Sequence, residues 1–189
     1  MSTFLKQMFS NPFSTGGIAP CGPQIVKIVT DHAGLDEARS VVELGPGTGV
    51  FTEEILKKTL PDTVFFGLEI NHEFVEATRK RCPEALIYED SAENLLEYTA
   101  RHNLTEVDCI ISTLPWTIFP KELRERILNV VYAALKPGGV FLTVSYSHMK
   151  NLPSGIKFSK QLKHTFSGVT PTKGVWDGPL PMFAYHCVK

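Results

Sequence analysis

The chain has 189 residues, of which 43% are hydrophobic and 21% are charged, and its formal net charge at pH 7 is −1. This length fits one α/β domain, which would bury about 70% of the surface that the unfolded chain exposes. The composition excludes a strongly basic protein that gathers nucleic acid through its overall field, and no apolar run reaches the roughly 18 residues of a membrane span.

The first residues predict a short amphipathic helix. Phe4, Leu5, Met8 and Phe9 fall on one face at helical spacing. We interpret residues 1–35 as a helical segment that packs on the core, folds over the acceptor site as a lid, or contacts a membrane peripherally. This region has no continuous apolar run of the signal-peptide kind. We therefore expect a cytoplasmic protein, with any membrane contact at the periphery.

Beyond this segment, short apolar runs alternate with amphipathic stretches, a pattern typical of a mostly parallel sheet with helices on both faces. The predicted helices cover 24–32, 50–59, 71–81, 91–102, 121–135 and, as a short element, 156–163. The predicted strands cover 40–44, 64–70, 85–90, 107–114, 140–146, 164–170 and 182–189. A Gly/Pro-rich connection joins the last two strands and indicates an antiparallel hairpin. The sequence predicts a single domain over 1–189, with its α/β core at 40–189.

A glycine-rich turn follows the first predicted strand and opens a helix. The sequence E-L-G-P-G-T-G spans residues 43–49. Glycines permit positive φ and let the backbone approach a ligand closely. Val50 stands where the dinucleotide fingerprint has its third glycine, which disfavours NAD or FAD, and no G-K-[ST] follows, which excludes a P-loop.

Two acidic residues end the next two predicted strands. Glu69 closes the second and Asp90 closes the third. The carboxyl ends of parallel strands meet at one edge of the sheet, where open α/β folds bind ligands. A carboxylate at the position of Glu69 can accept two hydrogen bonds from a ribose diol, and Asp90 would reach an exocyclic adenine amine.

Together, E-x-G-x-G-x-G, the acid ending the second strand and D-S-A after the third resemble class I S-adenosyl-L-methionine (SAM)-dependent methyltransferases, from about residue 40 to the C-terminus. The resemblance implies a Rossmann-like fold, SAM as methyl donor and S-adenosyl-L-homocysteine (SAH) as product. In that family the glycine loop faces the methionine part, the strand-two acid holds the ribose and the strand-three acid meets the adenine. The implied cofactor-binding residues are Glu43, Gly45, Pro46, Gly47, Thr48, Gly49, Glu69, Ile70, Asp90, Ser91 and Ala92.

The segment after the fourth predicted strand reads I-S-T-L-P-W-T-I-F-P over residues 111–120. In this fold it faces the reactive methyl group. The proline-stiffened turn would present the face of Trp116 to a methylated ammonium, an attraction of about 0.5–2 kcal/mol. A turn that fills the core is the other interpretation of the same residues.

Two narrower families resemble this region. Bacterial phospholipid N-methyltransferases carry S-G-L-P followed by a second proline, and their amino-terminal segment and V-W-x-N-x-P-P stretch are similar to residues 4–20 and 175–181. Adenine N6-methyltransferases of nucleic acid, including rRNA adenine dimethylases, carry [N/D]-[P/L]-P-[Y/F] here, which Leu114, Pro115 and Trp116 match in part. Thr113 cannot copy the Asn amide of that motif, and this disfavours nucleic acid as a partner.

The sequence therefore favours a SAM-dependent methyltransferase that N-methylates an ethanolamine-type phospholipid headgroup or a related small amine. The alternatives are an rRNA or other nucleic-acid adenine N6-methyltransferase and a SAM-binding protein without catalysis. His148 follows the fifth predicted strand and is a candidate base, since imidazoles exchange protons near neutral pH. No metal site is predicted, because the cysteines and histidines do not cluster. The candidate catalytic residues are Thr113, Leu114, Pro115, Trp116 and His148.

Overall fold

The computed structural model describes residues 21–176 and 180–189. The predicted amphipathic helix before residue 20 lies outside the described residues and stays a prediction. The described helices are α1 Pro23–Asp31, α2 Val50–Lys58, α3 His72–Arg81, α4 Leu95–Arg101, α5 Lys121–Ala134 and α6 Pro153–Thr165, with 3-10 turns at Ala92–Asn94 and Ser147–Asn151. The described strands are β1 Ser40–Leu44, β2 Val64–Glu69, β3 Ile87–Glu89, β4 Val107–Ser112, β5 Leu135–Tyr146, β6 Gly168–Pro171, β7 Val175–Trp176 and β8 Pro181–Val188.

The described strands form one sheet in the order β3-β2-β1-β4-β5-β8-β6, with β7 pairing to β8. Neighbours from β3 to β5 run parallel, and β8 runs antiparallel to β5, β6 and β7. This confirms the predicted Rossmann-like, mostly parallel sheet with antiparallel strands at its C-terminal end. The two-residue strand β7 is one more than the seven predicted. It forms inside the connection that the sequence analysis assigned to the hairpin loop.

The sheet separates two apolar layers, each closed by three helices. Residues of α1, α2 and α3 pack on one face, and residues of α4, α5 and α6 pack on the other. All five residues of β1 are buried, as expected for a central strand covered on both sides. The α1 residues Ile25 and Val29 are fully buried. This part of the predicted N-terminal segment therefore belongs to the core.

The sequence located the beginnings of two helices through their caps. Asn71 precedes α3, and its side chain accepts hydrogen bonds from the Glu73 and Phe74 amides. Ser91 caps the next helical stretch, because its side chain accepts a hydrogen bond from the Glu93 amide. The helix predicted over 91–102 is divided into a 3-10 turn and α4.

The structure corrects the region after β5. The short helix predicted near 156–163 is longer and forms α6, which begins at Pro153 in a stretch predicted to be loop. Proline favours the first helical turn. At the other end α6 takes in His164 and Thr165, which the sequence analysis assigned to a strand, because Phe158 and Leu162 continue a helical stripe that is buried in the core. Within the described residues, no helix is long and apolar enough to cross a membrane.

Candidate functional site

A crevice lies at the carboxyl edge of the sheet, beside the point where the strand order reverses between β1 and β4. In open α/β sheets this is where ligands bind. The ends of β1, β2, β3 and β4 contribute to its wall, and α5 closes one side. The lining residues are Gly45, Leu68, Glu69, Ile70, Asp90, Ser91, Ala92, Leu114, Phe119 and Ile127. Six of the residues predicted to bind the cofactor are thereby brought together.

The glycine loop adopts a backbone that only glycine accommodates easily. Gly45, Gly47 and Gly49 have φ of 79°, 60° and 79°, in the left-handed region that disfavours residues with a Cβ. At Gly45 a Cβ would also lie 3.0 Å from the Leu114 side chain. Two hydrogen bonds hold the central glycine of the loop. The Gly47 N–H donates to the Glu69 carboxylate at 3.1 Å, and the Gly47 carbonyl accepts from the Thr78 hydroxyl at 2.7 Å.

Glu69 is a buried carboxylate that organises the backbone around the crevice. It is 4% exposed, and it accepts from the Gly47 amide and, at 2.9 Å, from the Asn71 amide. Burial raises the pKa of this carboxyl group, and the hydrogen bonds from the backbone act in the opposite direction. The side chain thus links the glycine loop to the end of β2.

Asp90 is anchored from the following helical stretch. Its Oδ1 accepts from the Ser91 amide at 2.7 Å and from the Asn94 side chain at 2.9 Å, and its Oδ2 accepts from the Tyr98 hydroxyl at 3.0 Å. These three donors hold the carboxylate at the end of β3, where it lines the crevice.

Glu43 lies beneath the glycine loop, fully buried on β1. Its Oε2 accepts from the Thr52 hydroxyl at 2.6 Å, whereas its Oε1 has no hydrogen-bond partner within the described residues. Burial raises the pKa of this carboxyl group to about 8; the nearby charge of Glu69 adds to this effect, and the hydrogen bond from Thr52 opposes it. A buried oxygen without a hydrogen-bond partner is costly, and the raised pKa reduces this cost because it favours the uncharged form of the carboxyl group.

We predict that Glu43→Gln removes a pH dependence of stability. Because the pKa of Glu43 is higher in the folded chain than in the unfolded one, its stabilising contribution is present below about pH 4.5 and is lost as pH rises towards 8. The wild-type protein should therefore lose on the order of a few kcal/mol relative to Glu43→Gln between pH 5 and pH 8.5. Urea unfolding at several pH values measures this difference. Parallel pH profiles for the two proteins would contradict the prediction.

The turn after β4 contacts the glycine loop directly. The Thr113 hydroxyl donates to the Gly45 carbonyl, and the Thr113 amide donates to Leu44 at 3.0 Å. Leu114 lines the crevice, and Pro115 is half-buried within the turn. Thr113 thus positions the loop.

Trp116 does not present its face to the crevice. Its ring is 2% exposed, stacks on Phe158 at a centroid distance of 5.5 Å and meets Phe119 and Phe141 edge-on. Its indole N–H donates to the Ser112 hydroxyl at 3.1 Å. The covered ring face favours the second interpretation of this turn, the one that fills the core, over a cation–π clamp. The aromatic side chains of α6 and β5 bury the ring, and the turn fills the core.

His148 lies away from the crevice lining. It is exposed in the 3-10 turn after β5, where its ring stacks on Tyr146 at 5.7 Å. Of the other predicted residues, Pro46 is buried under the loop and Thr48 is exposed at its tip. Neither lines the crevice.

Three hydroxyl side chains that position the site were not predicted from the sequence. Thr52, Thr78 and Tyr98 each donate a hydroxyl to a loop or carboxylate of the site. Each of these residues lies on a helix and is not part of a recognisable sequence motif. The local sequence therefore gives no indication of its role in the site. Phe119 and Ile127 add apolar wall to the crevice.

The crevice fits SAM by the chemistry of its donors and acceptors. Glu69 and Asp90 are carboxylates that line the crevice. SAM carries ribose hydroxyls, an adenine amine and an ammonium group, which are donors for such acceptors. Among the described residues, no group of three or more Cys, His, Asp or Glu side chains is arranged to hold a metal ion.

Comparison with known proteins identifies relatives. The family model described as a methyltransferase domain matches residues 41–139. Ornithine lipid N-methyltransferase of Singulisphaera acidiphila is 30% identical over 141 residues, which cover 73% of this chain and 73% of that protein. The O-methyltransferase from Bacillus cereus in complex with SAH has a TM-score of 0.70 at 16% identity, covering 100% of this chain and 92% of its own. The O-methyltransferase TomG from Streptomyces achromogenes in complex with SAM has a TM-score of 0.68 at 19% identity, covering 100% and 91%.

Proposed function

The chain belongs to the class I SAM-dependent methyltransferases, and from this premise we propose that it methylates the amine of a lipid headgroup. It is an enzyme, and SAM is its methyl donor. The similarity to ornithine lipid N-methyltransferase carries the choice of acceptor. The S-T-L-P turn after β4 supports the same class of acceptor, since its sequence resembles the corresponding segment of the phospholipid N-methyltransferases.

The residues around the crevice take the following roles in this proposal. Glu69 accepts from the ribose hydroxyls, and Asp90 accepts from the adenine amine. The glycine loop and Glu43 hold the methionine part of SAM. Thr113 fixes the loop against the turn after β4, so that donor and acceptor sites move as one unit. This arrangement supplies catalysis mainly through positioning, which suits an in-line displacement.

When bound, SAM would supply a methyl group on its sulfonium; transfer of this group to the amine nitrogen would leave the electrons of the broken C–S bond on sulfur and yield SAH. The amine must give up one proton, which solvent water accepts. Leu114 and Phe119 contribute apolar wall to the crevice, which would limit the access of bulk water to a bound ligand.

The segment before residue 21, which lies outside the described residues, also has a role in this proposal. We place it in the cytoplasm with the rest of the chain, where it packs on the core, covers the acceptor as a lid, or contacts the membrane at its periphery. These roles suit an amphipathic helix.

The proposal is tested by transfer of labelled methyl from SAM to vesicles that contain phosphatidylethanolamine or ornithine lipid, with ribosomal RNA offered in parallel. We expect label in at least one lipid and none in the RNA. The two lipids separate an ethanolamine from an ornithine headgroup. Label in RNA alone would overturn the proposal and point to an adenine N6-methyltransferase. Inactivity of Glu69→Ala would link the label to this crevice.

A further inference from the structure

A second concave surface lies next to the crevice, between the first turns of α5 and α6. Both helices follow strands of the parallel part of the sheet, so this groove opens at the same carboxyl edge as the crevice. Phe119 lines both cavities. The groove is lined by Thr117, Phe119, Lys121, Arg124, Glu125, Pro153, Ser154, Lys157, Lys160 and Gln161.

Arg124 is the unusual member of this groove. The residue is 7% exposed, and within the described residues no carboxylate lies within ion-pair distance of its guanidinium. It donates from Nε to Gln161 at 2.7 Å and from Nη1 to the Trp116 carbonyl at 3.4 Å. A guanidinium has five N–H donors, so these two bonds leave part of the fork available. Burial lowers the pKa of this guanidinium, and the charges of Glu125 and Glu122 on the same helix act in the opposite direction.

The surroundings add positive charge. Lys121 and Glu125 form an ion pair at 3.6 Å and offset each other. Lys157 and Lys160 line the groove from α6 and have no acidic partner within ion-pair distance in the described part of the chain. Four cations thus face one carboxylate, although the whole chain has a net charge of −1. The N-termini of two helices of 14 and 13 residues contribute further partial positive charge.

Two exposed aliphatic residues are neighbours in sequence of residues that line the groove. Ile118 is 46% exposed between the lining residues Thr117 and Phe119, and Leu152 is 44% exposed directly before Pro153. Cationic lining residues with exposed aliphatic neighbours in sequence suit an amphiphile whose anionic group is attached to an acyl chain.

We infer that this groove binds the anionic group of the acceptor headgroup, a phosphodiester or a carboxylate, while the amine of the same headgroup reaches past Phe119 into the crevice. This inference rests on the proposed function. It defines the substrate class more narrowly, as a lipid in which an amine and an anionic group lie a few bonds apart. The buried cation of Arg124 finds its counter-ion in the substrate.

The test measures binding by calorimetry to the full chain saturated with SAH. The probes are glycerophosphoethanolamine, Nα-acetylornithine and ethanolamine, which carry a phosphodiester, a carboxylate and no anionic group. We expect one of the two anionic probes to bind at least about 10-fold more tightly than ethanolamine, and its identity tells phosphate from carboxylate. Equal affinity for all three probes would overturn the inference.

Two variants assign the effect to the groove. Arg124→Gln and the exposed double variant Lys157→Gln/Lys160→Gln should each reduce the preference for the anionic probe about 10-fold, with SAH affinity unchanged. The double variant keeps the test valid if Arg124→Gln fails to fold. The matched control is Lys80→Gln/Lys173→Gln, which removes the same charge from exposed positions outside the groove. An equal loss in the control would show a general charge effect and reject the groove.

The binding test and the methyl-transfer assay can reject the groove and the proposed function independently of each other. Tight binding of an anionic probe without methylation of either lipid would reject the proposed function and retain an anion site. Lipid methylation without any preference for anionic probes would retain the function and reject the groove. Methylated RNA whose labelling falls in the double variant would assign the groove to nucleic-acid phosphates and overturn the lipid interpretation.

Discussion

Glu69→Gln is expected to weaken SAM binding by about 100-fold. The wild-type carboxylate accepts from the Gly47 and Asn71 amides and has further lone pairs for the ligand. Glutamine has one acceptor oxygen, and its NH₂ group would face a backbone N–H. Hydrogen bonds to charged groups contribute about 1.5–3 kcal/mol each, and a loss of about 2.7 kcal/mol corresponds to 100-fold in affinity.

Calorimetric titration with SAH measures this loss. Glu84→Gln is the matched control, because Glu84 is exposed and does not line the crevice; its SAH affinity should equal that of the wild type. The melting temperature of each variant separates a local effect from unfolding. A folded Glu69→Gln protein with wild-type SAH affinity would remove Glu69 from the binding site and contradict its role in the glycine loop.

The cofactor-binding side of the site could be predicted from the sequence because of the topology of the sheet. Glu69 and Asp90 are the ends of two predicted strands, and parallel strands bring their carboxyl ends to one edge whatever the side-chain detail. The glycine turn needs positive φ at fixed positions, which only a few residue types permit. Both features are local in the sequence, so they can be recognised without knowing how the side chains pack.

The acceptor side depends on contacts between distant segments and could not be predicted in the same way. The burial of Trp116 is caused by Phe158, 42 positions later in the chain. The site of Arg124 is formed with Gln161 on a helix that the sequence analysis began too late. An aromatic residue in a turn reads identically whether it faces solvent, a ligand or the core, so only the fold distinguishes these cases.

Trp116→Ala should destabilise the protein by about 3–5 kcal/mol, the range for truncating a buried aromatic residue. The ring contacts Phe119, Phe141 and Phe158, and its removal also takes away the donor to Ser112. Urea unfolding measures the change. The other tryptophan, Trp176, is 71% exposed, and Trp176→Ala should change stability by less than about 0.5 kcal/mol.

Trp116→Phe separates a core role from an acceptor clamp. Phenylalanine retains most of the packing and loses the hydrogen bond to Ser112, so the core role predicts a loss of about 1–2 kcal/mol in stability and an unchanged KM for the amine. A clamp predicts the reverse, because cation–π attraction is weaker for phenylalanine than for tryptophan and KM would rise with stability unchanged. The closed aromatic environment of the ring favours the first outcome. That result would leave Leu114 and Phe119 as the apolar wall nearest the acceptor and would direct the search for headgroup contacts to the cationic groove beside them.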